Sequence, residues 1–255
     1  MYFAVFAFGT IIGSFLNAIL FRKNTGETVL KGRSRCFSCG KKLEWFELVP
    51  IASFLIQRGK CLGCGSRISI QYPIIETLTG FLAVAILSEA RFWTFCFYFT
   101  AFVVLLLIAV YDFKHKIIDR HFLWLFAMFA LVEHLFKYLN IEKFKYTGFF
   151  SLSASVVIFL FFYSLWRFSN GRWMGRGDAD LAFFLALFLG YPLSLFMLVG
   201  SFWLGAVVGI ILLIVFTKKF TIKSEVPFGP FLALSAFLVW YFADMLKFIY
   251  ELLYF

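Results

Sequence analysis

Apolar residues run along this chain in eight blocks, near 2–21, 73–88, 92–111, 121–139, 147–167, 179–190, 193–217 and 230–250, with charged or turn-forming residues between them. About 20 apolar residues cross a hydrocarbon layer as a helix, because within lipid the backbone must satisfy its own hydrogen bonds. The pattern predicts an all-α polytopic membrane protein with about eight transmembrane helices. The sixth block is short, and Pro192 either opens the seventh helix, where a missing N–H is tolerated, or kinks a longer one. The first block, Tyr2 to Phe21, lacks the basic flank and small-residue cleavage site of a secretory signal and reads as a retained helix. Gly9 and Gly13 in the first block, and Gly205 and Gly209 in the seventh, have the spacing that permits close helix contacts.

Composition agrees: 62% of the residues are hydrophobic and mean hydropathy is +0.90, beyond what a soluble core needs. The 39 phenylalanines are read as lipid-facing bulk and helix packing. Lysine and arginine accumulate in cytoplasmic loops, and with eight crossings nineteen of the 24 basic residues fall on one side. Both chain ends are therefore expected outside the cytoplasm. The net charge of +10 follows from these flanking loops and their attraction to anionic lipid, and no nucleic-acid motif is present.

One loop, Arg22 to Tyr72, is long enough to be a small domain and carries four of the five cysteines. Cys36-x-x-Cys39 and Cys61-x-x-Cys64 are separated by 21 residues, each pair followed by a glycine, Gly40 or Gly65. Four thiolates so spaced favour tetrahedral zinc, since a cytoplasmic setting disfavours disulfides and so small a domain needs a staple. A redox dithiol pair is the rival reading. Four thiolate ligands leave no open position for water, so this zinc-binding loop domain is structural. The division expected is residues 1–21 as the first helix, 22–72 as the zinc domain and 73–255 as a seven-helix membrane domain.

Asp112 closes the third block and Asp178 opens the sixth from within Gly175-Arg176-Gly177-Asp178. An ionisable group bordering a transmembrane segment is a functional candidate. Two carboxylates that share a proton suit hydrolysis, one activating water while the other protonates a carbonyl oxygen. Packing the third helix on the sixth is expected to bring them together. Gly175 and Gly177 either let the backbone approach a substrate strand or cap a loop. Asp119 and Asp180 stand as alternatives for either role, and His115 and His121 read as solvated.

Taken in order, these motifs resemble the type IV leader peptidase family of bacterial prepilin peptidases, membrane aspartyl proteases. The resemblance rests on Gly13-Ser14-Phe15-Leu16-Asn17 with Arg22, then the two cysteine knuckles with Trp45, Pro50 and Arg58-Gly59-Lys60. It continues through Tyr72-Pro73-x-x-Glu76, Asp112-Phe113-Lys114-His115, Gly175-x-Gly177-Asp178 and Val226-Pro227-Phe228-Gly229-Pro230. Two departures stand out. Ile117-Ile118 occupies the place where the family usually has a proline soon after the first aspartate, and Asp180 stands where G-x-G-D-x-K would place a lysine.

The resemblance implies Asp112 and Asp178 as the catalytic pair, with Gly175, Gly177, Pro227 and Gly229 supporting them. It also implies a bacterial inner-membrane enzyme whose substrates are prepilins or pseudopilins of type IV pilus and type II secretion systems, cut on the cytoplasmic side. Glu76 is then a candidate for binding a cationic group of the substrate. The resemblance also implies N-methylation of the new N-terminus with S-adenosylmethionine as donor, although no glycine-rich nucleotide fingerprint is present. A presenilin-like intramembrane protease shares Tyr111-Asp112 and the G-x-G-D plan but lacks the four-cysteine insert. A non-enzymatic membrane adaptor with a zinc docking loop is the alternative from another class.

Overall fold

In the computed structural model the described residues are 1–23, 34–89, 91–139, 144–215 and 226–254. The basic residues Lys31, Arg33, Lys143, Lys218, Lys219 and Lys223 counted above lie outside them. Among the described residues the fold is helical, with only two isolated β-bridges. The elements are α1 (Tyr2–Arg22), a 3-10 turn (Trp45–Leu48), α2 (Ala52–Ile56), α3 (Gln71–Glu89), α4 (Phe92–His115) and α5 (Arg120–Leu139). They continue with α6 (Phe144–Ser169), α7 (Arg176–Leu189), α8 (Leu193–Val215), α9 (Gly229–Tyr241) and α10 (Ala243–Tyr254).

Each of the eight apolar blocks carries a helix, but the last is broken. The chain turns by 78° between α9 and α10. Length and composition alone qualify α1, α4, α6 and α8 as membrane spans, and the bent α9–α10 pair as a fifth. The other blocks fall short for physical reasons. At 1.5 Å per residue, the 14 residues of α7 reach only about 21 Å, and α5 holds an ion pair, Lys137 to Glu133, at 2.9 Å. Pro192 precedes α8, and just before it α7 is closed by Gly190, whose φ of +76° suits glycine.

Two compact units divide the chain, Met1–Phe99 and Thr100–Phe255. In the first, α1 packs along α3 at very short range, because a Cβ on Gly9 would lie 2.6 Å from the Thr79 carbonyl oxygen and one on Gly13 2.7 Å from Glu76 Cα. The Gly9–Gly13 expectation therefore holds. In the seventh block the close contact falls elsewhere. Gly200 meets Ser235 of α9, a Cβ on Gly205 would make only ordinary contact with Phe231, and Gly209 faces open space.

In the second unit α7 is the central element, packed by α5, α6, α8 and α9. Nine of its residues are buried, from Asp178 to Leu189, as expected for a helix enclosed by others. Phe102 of α4 meets Phe188 of α7 edge to face, with centroids 5.8 Å apart, so the third and sixth blocks do pack together. Lys137 donates to the Phe188 carbonyl at 2.9 Å, satisfying the carbonyl end of α7 with a cation. By contrast α8 turns Trp203, Ile210 and Ile214 outward, which suits lipid rather than water.

Candidate functional site

Asp112 lies near the end of α4 and Asp178 in the first turn of α7, and both are buried, 4% and 7% exposed. Each carboxylate meets a helix N-terminus. The Gly229 N–H, opening α9, donates to Asp112 Oδ2 at 3.1 Å, and the Gly175 N–H donates to Asp178 Oδ2 at 3.0 Å. Free amide protons and the positive end of a helix dipole favour a negative charge there. The two acids line one cavity of about 680 Å³ together with Gly175, Gly177 and Pro227. They are close enough to interact electrostatically.

The glycines are explained by proximity. A Cβ on Gly229 would stand 2.6 Å from Asp112 Oδ2, so glycine is what lets that amide meet its carboxylate; one on Gly175 would lie 3.3 Å from Asp178 Oδ2, a tight contact that a small shift relieves. Gly175 is the N-cap of α7. Gly177 is packed under Ile118, whose Cβ would be 3.0 Å from a Cβ placed there. The residue that departs from the family's proline is thus seated on the second aspartate motif. Sequence reasoning noted both and had no signal that they touch.

Asp119, considered for either catalytic role, caps α5: its Oδ1 accepts the His121 N–H at 2.9 Å and the Phe122 N–H at 3.3 Å. His115 and His121 are exposed. Asp180 lines the cavity and feels the charges of Arg176 and Arg120. Trp124, Phe183 and Phe184 form an apolar wall that sequence patterning assigned only to packing.

In the first unit, the Sγ atoms of Cys36, Cys39, Cys61 and Cys64 lie within 4.8 Å of one another. Tetrahedral zinc with bonds of ~2.3 Å sets its sulfurs ~3.8 Å apart, and Cys36 and Cys64 are 3.9 Å apart. The donor set therefore fits a metal ion such as zinc. The two knuckles repeat one turn: the Gly40 N–H donates to the Cys36 carbonyl and the Gly65 N–H to the Cys61 carbonyl, both at 2.9 Å. Both glycines have φ of +71°, a conformation costly for other residues.

Backbone N–H groups of Cys39 and Ser38 draw the Cys36 thiol down to about 6 and Ser66 lowers that of Cys64, whereas at Cys39 the Lys41 backbone lowers the thiol but the Cys64 and Cys36 sulfurs and burial outweigh it and push it up to about 11. Cys36 and Cys64 are thus poised as the thiolates a metal requires, and the crowding of sulfurs that raises Cys39 is what a bound cation would relieve. Glu47 braces the loop, accepting the Glu44 N–H at 2.9 Å and pairing with Lys41 at 3.0 Å. The Glu44 N–H and the Lys41 ammonium hold the Glu47 carboxyl below its ordinary range despite burial.

Glu76 lines a different cavity from the two aspartates. It lies in a space of about 290 Å³ within the first unit, beside Tyr72, Phe21, Cys36 and Cys61. Its carboxylate accepts the Ile51 N–H at 2.7 Å. Phe21 and Tyr72 stack at 4.9 Å, a pairing the sequence did not signal.

Comparison with known proteins identifies both halves. Residues 7–90 match the bacterial peptidase A24 N-terminal domain and residues 99–210 the type IV leader peptidase family. A prepilin leader peptidase/N-methyltransferase of Myxococcus xanthus is 36% identical over 83% of this chain, and the match spans 64% of that relative's length. The Bacillus subtilis protein of the same name is 31% identical, covering 94% of each chain. One from Legionella pneumophila is 25% identical over 96% of this chain and 92% of its own. No solved structure matches. With two domains in order, a relative aligned over nearly its whole length and the aspartate motifs gathered at one cavity, this helical membrane protein belongs to the type IV leader peptidase family.

Proposed function

We propose that the chain is a membrane aspartyl endopeptidase that removes the leader of type IV prepilins or pseudopilins and then N-methylates the new N-terminus. The observation that carries the peptidase half is the pair of buried carboxylates, Asp112 and Asp178, each accepting a glycine N–H and both opening into one cavity. Two such groups hold one proton between them. One carboxylate takes a proton from water as its oxygen attacks the scissile carbonyl carbon, and the protonated partner gives its proton to the carbonyl oxygen. Collapse of the tetrahedral intermediate then breaks the C–N bond, and the departing amine takes up a proton.

Gly175 and Gly229 support this pair through their N–H groups, Gly177 by seating Ile118 beside Asp178 and Pro227 from the cavity wall, and Trp124, Phe183 and Phe184 offer an apolar wall to the substrate's hydrophobic helix. The basic residues around the loops put the active face in the cytoplasm and both chain ends outside the inner membrane, with α3, α5 and α7 completing the crossings. The four cysteines hold structural zinc that keeps the loop of residues 22–72 folded; residues 73–255 carry the peptidase helices. S-adenosylmethionine, when bound, supplies the methyl group.

The test is incubation of the purified protein with a prepilin-type substrate in liposomes, with both fragments read by mass. Cleavage at the leader junction is the expected result. An intact substrate under conditions where zinc content and melting show a folded enzyme rejects the peptidase reading.

A further inference from the structure

The residues on either side of the 78° turn between α9 and α10 differ in kind. α9 carries no charged residue, whereas α10 carries Asp244, Lys247 and Glu251. α9 begins at the aspartates, where its Gly229 N–H meets Asp112, so α10 follows its far end. At 1.5 Å per residue α9 covers ~20 Å, and α7, which also starts beside the aspartates, covers ~21 Å. The two helices end near one level. There the hydroxyls of Tyr191, just past α7, and Tyr250, in α10, lie 2.6 Å apart, and tyrosines collect where hydrocarbon meets water.

Around α10, residues three and four apart share a side. Ala243, Leu246 and Tyr250 are half-buried and form the side packed on α8 and α9. Asp244, Lys247 and Glu251 form an exposed stripe, with Lys247 3.7 Å from Asp244. Met245, Phe248, Ile249 and Leu252 form a separate stripe that is also exposed, Phe248 and Leu252 at 65% and 70%. Water does not suit four large apolar side chains on one side of a helix. An upright course through lipid does not suit the charged stripe, because ionised groups inside a membrane turn inward to partners and these turn outward. A helix lying in the surface satisfies both stripes. Its neighbour α8 is already apolar on its outward side from the first turn, at Leu195 and Val199, so the lipid-facing surface continues onto α10.

We infer that α10 lies in the plane of the membrane surface, at the end of the bundle away from the aspartates. Met245, Phe248, Ile249 and Leu252 enter the acyl chains of that leaflet, Asp244, Lys247 and Glu251 face the headgroups and water, and α9 alone makes the crossing. The polar stripe holds two acids and one base, so apolar contact rather than attraction to anionic lipid keeps the helix there, and neutral lipid suffices.

The test uses the full-length protein, one copy per phosphatidylcholine nanodisc, with a genetically encoded ketone residue coupled to a nitroxide. The label replaces Asp244, Met245, Lys247, Phe248, Glu251 or Leu252, one at a time. Collisions with oxygen, which partitions into lipid, and with a water-soluble nickel chelate are then measured. The oxygen-to-nickel ratio should be higher at each of Met245, Phe248 and Leu252 than at any of Asp244, Lys247 and Glu251. Depth at Met245 and Leu252 is the sharpest reading, since they are seven residues apart on one side. An upright helix sets them ~10 Å apart in depth, and one turned by 78° from an upright α9 sets them only ~2 Å apart. In the unlabelled parent, the nanodisc should suppress hydroxyl-radical oxidation of Met245 while Lys247 still reacts with a water-soluble amine reagent. That arm decides the matter if a labelled variant does not fold.

A depth difference near ~10 Å, or an unreactive Lys247 in the parent, overturns the proposal in favour of a continuing span. Nickel collisions that dominate at every labelled position, with Met245 freely oxidised, overturn it in favour of water. Spin–spin broadening at Phe248 or Leu252 in discs holding two copies, with oxygen collisions lost relative to single-copy discs, assigns the apolar stripe to a second copy instead of lipid.

Discussion

Gly229→Ala is the sharpest perturbation of the aspartate cavity, because it adds one methyl group where the structure has no room. That Cβ would stand 2.6 Å from Asp112 Oδ2 and 3.2 Å from its Cγ. The neighbour is the carboxylate itself, so either Asp112 rotates away or the start of α9 retreats, and in both cases the 3.1 Å bond from the Gly229 N–H is lost. A hydrogen bond to a charged group contributes about 1.5–3 kcal/mol. At 1.4 kcal/mol per factor of ten, its loss lowers the cleavage rate by about 10- to 150-fold. Single-turnover cleavage of a prepilin-type substrate in liposomes measures this. Gly209→Ala, where a Cβ meets nothing within 4 Å, and Gly205→Ala, where it makes ordinary contact with Phe231, serve as matched controls on α8 and should cleave like the parent. Parent-like cleavage by Gly229→Ala would refute the view that the α9 amide holds Asp112.

Gly177→Ala forces its new Cβ against Ile118 at 3.0 Å and should reduce cleavage, and Ile118→Gly in the same chain should recover part of the loss; failure of any recovery would show that the contact does not set the position of Asp178. Gly13→Val should destabilise the α1–α3 pair by about 1–3 kcal/mol or more, as overpacking does, because even a Cβ would lie 2.7 Å from Glu76 Cα; the melting midpoint in detergent checks this. Glu47→Gln should release zinc to a chelator faster than the parent at neutral pH. The Glu47 carboxyl lies below its ordinary range, so its contribution is present above the unfolded value of about 4.3 and is lost as pH falls through the lower folded value. The gap between variant and parent should therefore narrow on acidification, and a constant gap would contradict the bracing role.

Much of the architecture was legible because its causes are local. Apolar blocks of membrane length became helices, and the two C-x-x-C-Gly turns became matching knuckles, since positive-φ glycines and converging thiolates are written directly in residue type. Direction was not legible. Hydropathy treats residues 230–250 as one run, while the chain bends by 78° between α9 and α10. Contacts between distant residues were also hidden: nothing in the sequence joins Ile118 to Gly177, or Phe21 to Tyr72. The aspartate motifs were visible as charges at block ends, and the Gly175 amide meets Asp178 three positions away within one motif, but the Gly229 amide reaches Asp112 across 117 residues and only packing brings it into place. Asp119 shows the converse, an acid at a block boundary whose position suited chemistry and whose side chain caps a helix.

The most direct measurement is cleavage by Asp112→Asn, Asp178→Asn and the double variant, each with its zinc content and melting midpoint as evidence of folding. A dyad that shares one proton acts as a unit, so each single change should lower cleavage by about 10³-fold or more and the double change should be no worse than either alone. A single variant that is folded and retains more than a tenth of the parent rate, or losses that multiply in the double variant, would contradict a shared catalytic pair at Asp112 and Asp178.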